Sequence, residues 1–198
     1  MGDCVFIGSA FVAKYPEGGG NFWVPLQYLL GLRALGVDAY WLELLWGGQY
    51  ADGGRAFLAT FRRHVERLGV ADRVAVLFLP ETTRDDPPGR IEHLGLDAAT
   101  LRAKARDALL LNLAGSIVAP LRADFARAVL FDVDPGPFQL WAREYDLGVG
   151  SHDGYLTIGA NLGAADSPIP PSSRGRRRRS ATTCAARAAS SAAPSPRT

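Results

Sequence analysis

The chain has 198 residues, 47% hydrophobic and 10% aromatic, which suits one sizeable domain with a real core and places it among soluble globular proteins. No apolar run approaches the roughly 18 residues that a membrane-spanning helix needs. The formal charge of +2 is uneven: residues 171–198 hold seven of the 22 Lys and Arg and no acid, leaving 15 basic against 20 acidic residues, a net −5, on residues 1–170, which argues against a nucleic-acid-binding surface there.

The N-terminus, "MGDCVFIGSAFVAK", carries an acid where a secretory signal would carry positive charge, and Phe6 occupies the position a myristoylation signal gives to Ser or Thr. A cytoplasmic location is the resulting expectation. Cys4 and Cys184 stand at opposite ends of the chain, with no spacing that suggests a zinc site or a redox pair, and Cys4 reads as a buried strand residue.

"CVFIGSAF" (4–11) reads as the first strand, "PEGGGN" as a glycine-rich loop, and 24–35 as a helix whose Trp23, Leu26, Leu30 and Ala34 share one face. Pro25 is tolerable there because the first helical turn has no intrahelical N–H partner to lose, and Gly36 is a natural stop. "DAYWLEL" (38–44) is the second strand, and a helix over about 52–68 sets Phe57, Phe61, Val65 and Leu68 at helical spacing. "RVAVLFL" (73–79) is the third strand, followed by a Pro- and Asp-rich loop and a helix near 97–106. "ALLLNLAG" (108–115), "RAVLFDVD" (127–134) and "GYLTIGAN" (154–161) complete six strands, with a short helix over about 138–144 between the last two.

Nearly continuous apolar strands imply burial on both faces, and strand–helix alternation implies parallel pairing with right-handed crossovers. The expected fold is α/β, a Rossmann-like doubly wound, mainly parallel sheet over residues 1–170. The segment 171–198 has no Leu, Ile, Val, Met, Phe, Tyr or Trp, and its burial cannot offset ordering entropy, so it is expected to be disordered.

In such a fold, ligands bind beyond the carboxyl ends of the strands. Gly18, Gly19, Gly20 and Asn21 after the first strand, Glu43, Asn112, Asp132 and Asp134, and Asn161 should then share one rim as candidate substrate-binding or catalytic residues. The glycines lack the GxGxxG or P-loop pattern; they either expose N–H groups to a phosphate or form a plain turn. Glu43 stands 23 residues beyond Gly20, near the spacing of a ribose-binding acid in a dinucleotide fold, which supports a nicotinamide site only weakly without the fingerprint.

Asp132-Val133-Asp134 at the end of an apolar strand resembles the phosphatases of the haloacid dehalogenase type. Pro135-Gly136 replaces their usual Gly-Thr, however, and little chain remains to supply their lysine and magnesium ligands. The alternative is that Asp134-Pro135-Gly136 makes a turn and caps the next helix. His152, next to Asp153, has the chemistry of a base oriented by a carboxylate, or serves a turn. His64 and His93 read as solvated surface, and Trp23, Trp41, Trp46 and Trp141, at helix and strand spacing, read as core by default or partly stack on a ligand. No metal site and no cofactor are expected.

The phrases "GGGNFWVPLQYLLGLRALGVDAYWLE", "LLLNLAG", "VLFDVDPGPFQLW" and "DGYLTIGANLG" resemble the N-terminal half of bacterial glycosyltransferases of GT-B architecture, over roughly residues 4–170. The resemblance implies transfer of a sugar from a nucleotide-sugar donor to an acceptor that the sequence does not identify, without an essential metal, in a cleft between two Rossmann-like domains. His152 or Asp132 would serve as the base. On that resemblance a second domain is expected after "IGANLGAADSPIP". The Arg/Ala/Ser/Pro run that stands there instead, in a chain whose body has 13 arginines against two lysines, is expected to reflect truncation or a shifted reading frame, leaving the half inactive alone. The competing reading makes "RGRRRR" a basic tail for non-specific contact with nucleic acid or anionic membranes. A non-catalytic nucleotide- or partner-binding module is the alternative to the enzyme.

Overall fold

The computed structural model describes residues 4–17, 19–84, 86, 89–162, 164 and 167. Gly18 and the 171–198 segment, expected to be disordered, lie outside the described residues. Among the described residues there are seven strands: β1 Cys4–Ser9, β2 Asp38–Trp46, β3 Val74–Leu79, β4 Glu92–Gly95, β5 Leu109–Leu113, β6 Arg127–Asp132 and β7 Gly154–Thr157. They alternate with helices α1 Gly19–Ala34, α2 Arg55–Arg67, α3 Ala98–Ala105, α4 Ala119–Arg122 and α5 Pro135–Glu144, and with 3₁₀ turns at Ala71–Arg73 and Val149–Ser151. Among the described residues no helix is long and apolar enough to cross a membrane.

The sheet order is β4-β3-β2-β1-β5-β6-β7. All neighbours pair in parallel except β3 and β4, which are antiparallel. The six expected strands are thus the six parallel ones, in Rossmann order. The strand order reverses between β1 and β5, whose registers Val5↔Leu109 to Gly8↔Asn112 put their carboxyl ends side by side. That is the switch point at which doubly wound sheets open a crevice. Gly8 is fitted to this central position: a Cβ there would meet Ile117 Cγ1 at 2.6 Å and Leu110 Cδ1 at 2.9 Å.

Strand alternation sends side chains to two cores. On one face Ile7, Trp41, Leu45, Val76 and Phe78 meet Phe22, Leu26 and Leu29 of α1 and Leu58, Phe61 and Val65 of α2. On the other, Phe6, Tyr40, Leu42, Leu44, Leu77 and Leu110 pack with Leu101 of α3 and Ile117. At the opposite end from the switch point, Asp38 accepts from Arg73 at 2.6 Å and Lys104 at 3.1 Å, with both cations over the Tyr40 ring.

Several boundaries differ from the sequence reading. The glycine-rich loop is largely helix: α1 begins at Gly19, so Pro25 is an interior residue whose missing N–H leaves the Asn21 carbonyl without its usual helical partner. The buried face of α1 is Phe22, Pro25, Leu26 and Leu29, while Trp23 and Leu30 are exposed. In α2, Leu58 takes the buried position expected of Phe57, and Leu68 is exposed. The segment after β3 is not only loop, since "EHLG" adds the edge strand β4 and carries the half-buried His93. Of the tryptophans, Trp41 is core, Trp46 is half-buried, and Trp23 and Trp141 are each 57% exposed. Cys4 lies in β1 and is half-buried, not fully buried.

Candidate functional site

Glu43, Asn112 and Asp132, expected on the rim, lie instead in three internal clusters closed by protein groups. Glu43 lies inside β2, not at its end, between Trp41 and Leu45 on the α1–α2 face, and has no exposed surface. One carboxylate oxygen accepts the backbone N–H groups of Val12 at 2.9 Å and Ala13 at 2.8 Å. The other accepts the Trp41 indole N–H at 3.1 Å and the Ser9 hydroxyl. Burial pushes the Glu43 carboxyl up to about 6, against the lowering effect of these bonds. With both oxygens bonded inside the protein, its side chain pins the β1–α1 loop to the sheet.

Asn112 and His152 form the second cluster. Asn112 Oδ1 accepts the Ile117 N–H at 2.8 Å, and its amide nitrogen donates to the Ile117 carbonyl at 3.0 Å and to His152 Nε2 at 3.0 Å. His152 Nδ1 lies 2.7 Å from the Gly148 carbonyl, which only accepts, so Nδ1 carries the proton. Nε2 also faces Arg122 at 3.3 Å. Burial holds the imidazole below its ordinary value, with Arg122 adding to the effect. The neutral ring therefore spends both nitrogens on the protein. Asp153 does not orient it, because its carboxylate accepts the Ala128 N–H at 2.8 Å.

Asp132, also without exposed surface, forms the third cluster. It accepts from the Tyr155 hydroxyl at 2.6 Å, Thr157 at 3.2 Å, Gln139 at 3.5 Å and the Asp134 N–H at 3.1 Å. Burial, then the Asp132 hydrogen bond, raise the Tyr155 phenol well above its usual value. Asp134 is exposed at the start of α5, but its side chain makes no capping bond, and Pro135 fills the first helical turn in its place. Asn161 sits exposed in a turn beyond β7. Gly19, Gly20 and Asn21 are exposed in the first turn of α1, and Gly19 borders a hollow of about 330 Å³ that Trp23, His64 and Arg67 also line.

What opens at the switch point is a cleft of about 260 Å³ that none of the expected residues lines. Its walls are Ala10, Phe11 and Lys14 from the β1–α1 loop, Leu45 and Trp46 at the end of β2, and Gln49 just beyond it. Arg84 from the β3–β4 connection, Ala114 and Ser116 after β5, and Trp141 of α5 close it. Ala114 holds a left-handed φ of 50°, a costly conformation for a residue with a Cβ, and Gly115 follows at 70°. Lys14 and Arg84 are the charged groups among the lining residues, and no carboxylate joins them. Two cations in a cleft that two indole rings also line can hold an anionic group.

The sequence offered little to find this cleft by. Lys14 is one of only two lysines, but no spacing ties it to Arg84, Gln49 or Ser116. Among the described residues no group of three or more His, Cys, Asp or Glu is placed to hold a metal ion. No protein-family model, no curated protein and no solved structure matches the chain.

Proposed function

We propose that this chain is a glycosyltransferase-like Rossmann domain whose switch-point cleft binds the phosphate-bearing part of a nucleotide-sugar or of a phosphorylated acceptor. The observation that carries the reading is the pair Lys14 and Arg84, unopposed by any carboxylate among the lining residues, in a cleft that Trp46 and Trp141 also line at the reversal of strand order. In that reading the cations take the phosphate oxygens, while Glu43 holds the loop that carries Lys14 and Asn112 the loop that carries Ser116. His152 and Asp132 become positioning residues, since both are saturated within the protein.

The test is thermal unfolding with a panel of UDP-, GDP- and TDP-sugars and their free nucleotides. A ligand of the folded state alone raises the melting temperature. One nucleotide class is expected to do so and the others not; no shift with any of them in a well-folded sample would refute the reading. The second reading, a non-catalytic binding module, is favoured by the engagement of His152 and Asp132. Release of nucleotide from the stabilising sugar donor decides between them, because only the enzyme turns the donor over.

A further inference from the structure

The cleft does not end at Lys14. That side chain also lines a second hollow of about 580 Å³, walled by Tyr15 from the β1–α1 loop, Tyr50 from the β2–α2 connection and Phe57 of α2. Gln49 lines the cleft and Tyr50, the next residue, lines the hollow, so the two spaces abut along Lys14 and the Gln49–Tyr50 peptide.

The hollow is built for a flat ring. Tyr50 and Phe57 hold each other edge to face, with ring centroids 4.8 Å apart and planes at 65°. Tyr15 stands 57% exposed on its wall, and Lys14 Nζ lies 5.4 Å from its ring centroid. Glu17, the acid on this wall, points its carboxylate toward His64 at 4.0 Å.

We propose that the hollow is a second subsite of the cleft, taking a flat, largely apolar ring covalently joined to the anionic group held by Lys14 and Arg84. The proposal rests on the reading of the cleft as an anion site. The ligand is then bipartite, with its charge at the switch point and its ring among Tyr15, Tyr50 and Phe57.

The experiment is an NMR titration of the full chain with inorganic phosphate, phenyl phosphate and phenol. Phenyl phosphate should bind roughly tenfold more tightly than inorganic phosphate, the gain of one stacked and buried ring. Tyr15→Ala and Phe57→Ala should abolish that preference, Phe57→Ala without changing inorganic phosphate binding, while Lys14→Ala should weaken both. Phe57 is half-buried, so the exposed Tyr15 provides the variant that keeps its fold. Equal affinities in the unaltered protein, or a preference that survives Tyr15→Ala, would overturn the subsite and leave the cleft standing. A preference lost only in Trp141→Ala would overturn it too, by placing the ring in the cleft. Phenol binding through Tyr15 with no binding of either phosphate would instead overturn the anion reading and the bipartite ligand with it.

Discussion

A carboxylate that is wholly buried must be held ionised by its donors, and Glu43 shows the cost. Its carboxyl is pushed from an ordinary 4.5 to about 6 even though Ser9, Trp41, Val12 and Ala13 all donate to it. At pH 7 the group is charged in both folded and unfolded chains, so the folded state bears the desolvation. As pH falls through 6 the folded state takes up the proton first, and the contribution of this residue to stability rises until the unfolded chain also protonates near 4.5. The urea-unfolding free energy of the unaltered protein minus that of Glu43→Gln should therefore increase by about 1 kcal/mol from pH 7 to pH 5, approaching about 2 kcal/mol lower down. Taking the difference cancels the titration of His93 and His152, whose lowered values act in the opposite direction. An unchanged difference would mean that the folded carboxyl titrates where the unfolded one does and that burial does not raise it. What was legible at this scale was that Glu43, Asn112 and Asp132 are special, since each is a polar residue in an apolar strand. What was not legible was that they are satisfied internally: their partners stand up to 40 residues away and fall into place only when the sheet forms.

Elements repeat the pattern, with type easier to read than phase or end. The parallel strands announce themselves as apolar runs, whereas β4 has only "EHLG" and exists because the open edge of β3 needs a partner. The spacing that buries Phe22, Pro25, Leu26 and Leu29 is ordinary helical spacing. It was displaced in the sequence reading because α1 is apolar around most of its circumference, so that Trp23 and Leu30 fit as well. Two helix-weakening residues remain inside α1, Pro25 and Gly31. Pro25 is buried and cannot be exchanged without a packing loss. Gly31 is exposed, and no atom lies within 4 Å of where its Cβ would stand. Gly31→Ala should thus remove backbone entropy from the unfolded chain and add nothing unfavourable to the helix, a gain of about 0.5–1 kcal/mol. Thermal unfolding should register it as a rise of roughly 2–4 °C, and a fall would show that the outer face of α1 is already covered.

At the scale of the whole molecule, the cleft is an assembly of five separate stretches: the β1–α1 loop, the end of β2 with Gln49, the β3–β4 connection, the β5–α4 loop and α5. Three of them are held from behind by the buried polar clusters: the β1–α1 loop by Glu43, the β5–α4 loop by Asn112, and α5 by Asp132 through Gln139. The cleft therefore exists only while the sheet is intact, and a ligand bound across it must report on global unfolding. At a hundredfold excess over its dissociation constant, such a ligand stabilises the fold by about 2.7 kcal/mol, which in a chain of this size is a rise of roughly 5–10 °C. Arg84 separates binding from folding. It is exposed, and no hydrogen bond or ion pair ties it to the other described residues. Arg84→Ala should leave the melting temperature without ligand within about 1 °C of the unaltered protein, because surface changes of this kind stay within about 0.5 kcal/mol. It should nonetheless remove most of the rise produced by a phosphate-bearing ligand, because one of the two cations that meet the anion is gone. A full rise in Arg84→Ala would place the anion elsewhere on the rim, and the hollow beside α1, with His64 and Arg67, would then be the next place to look.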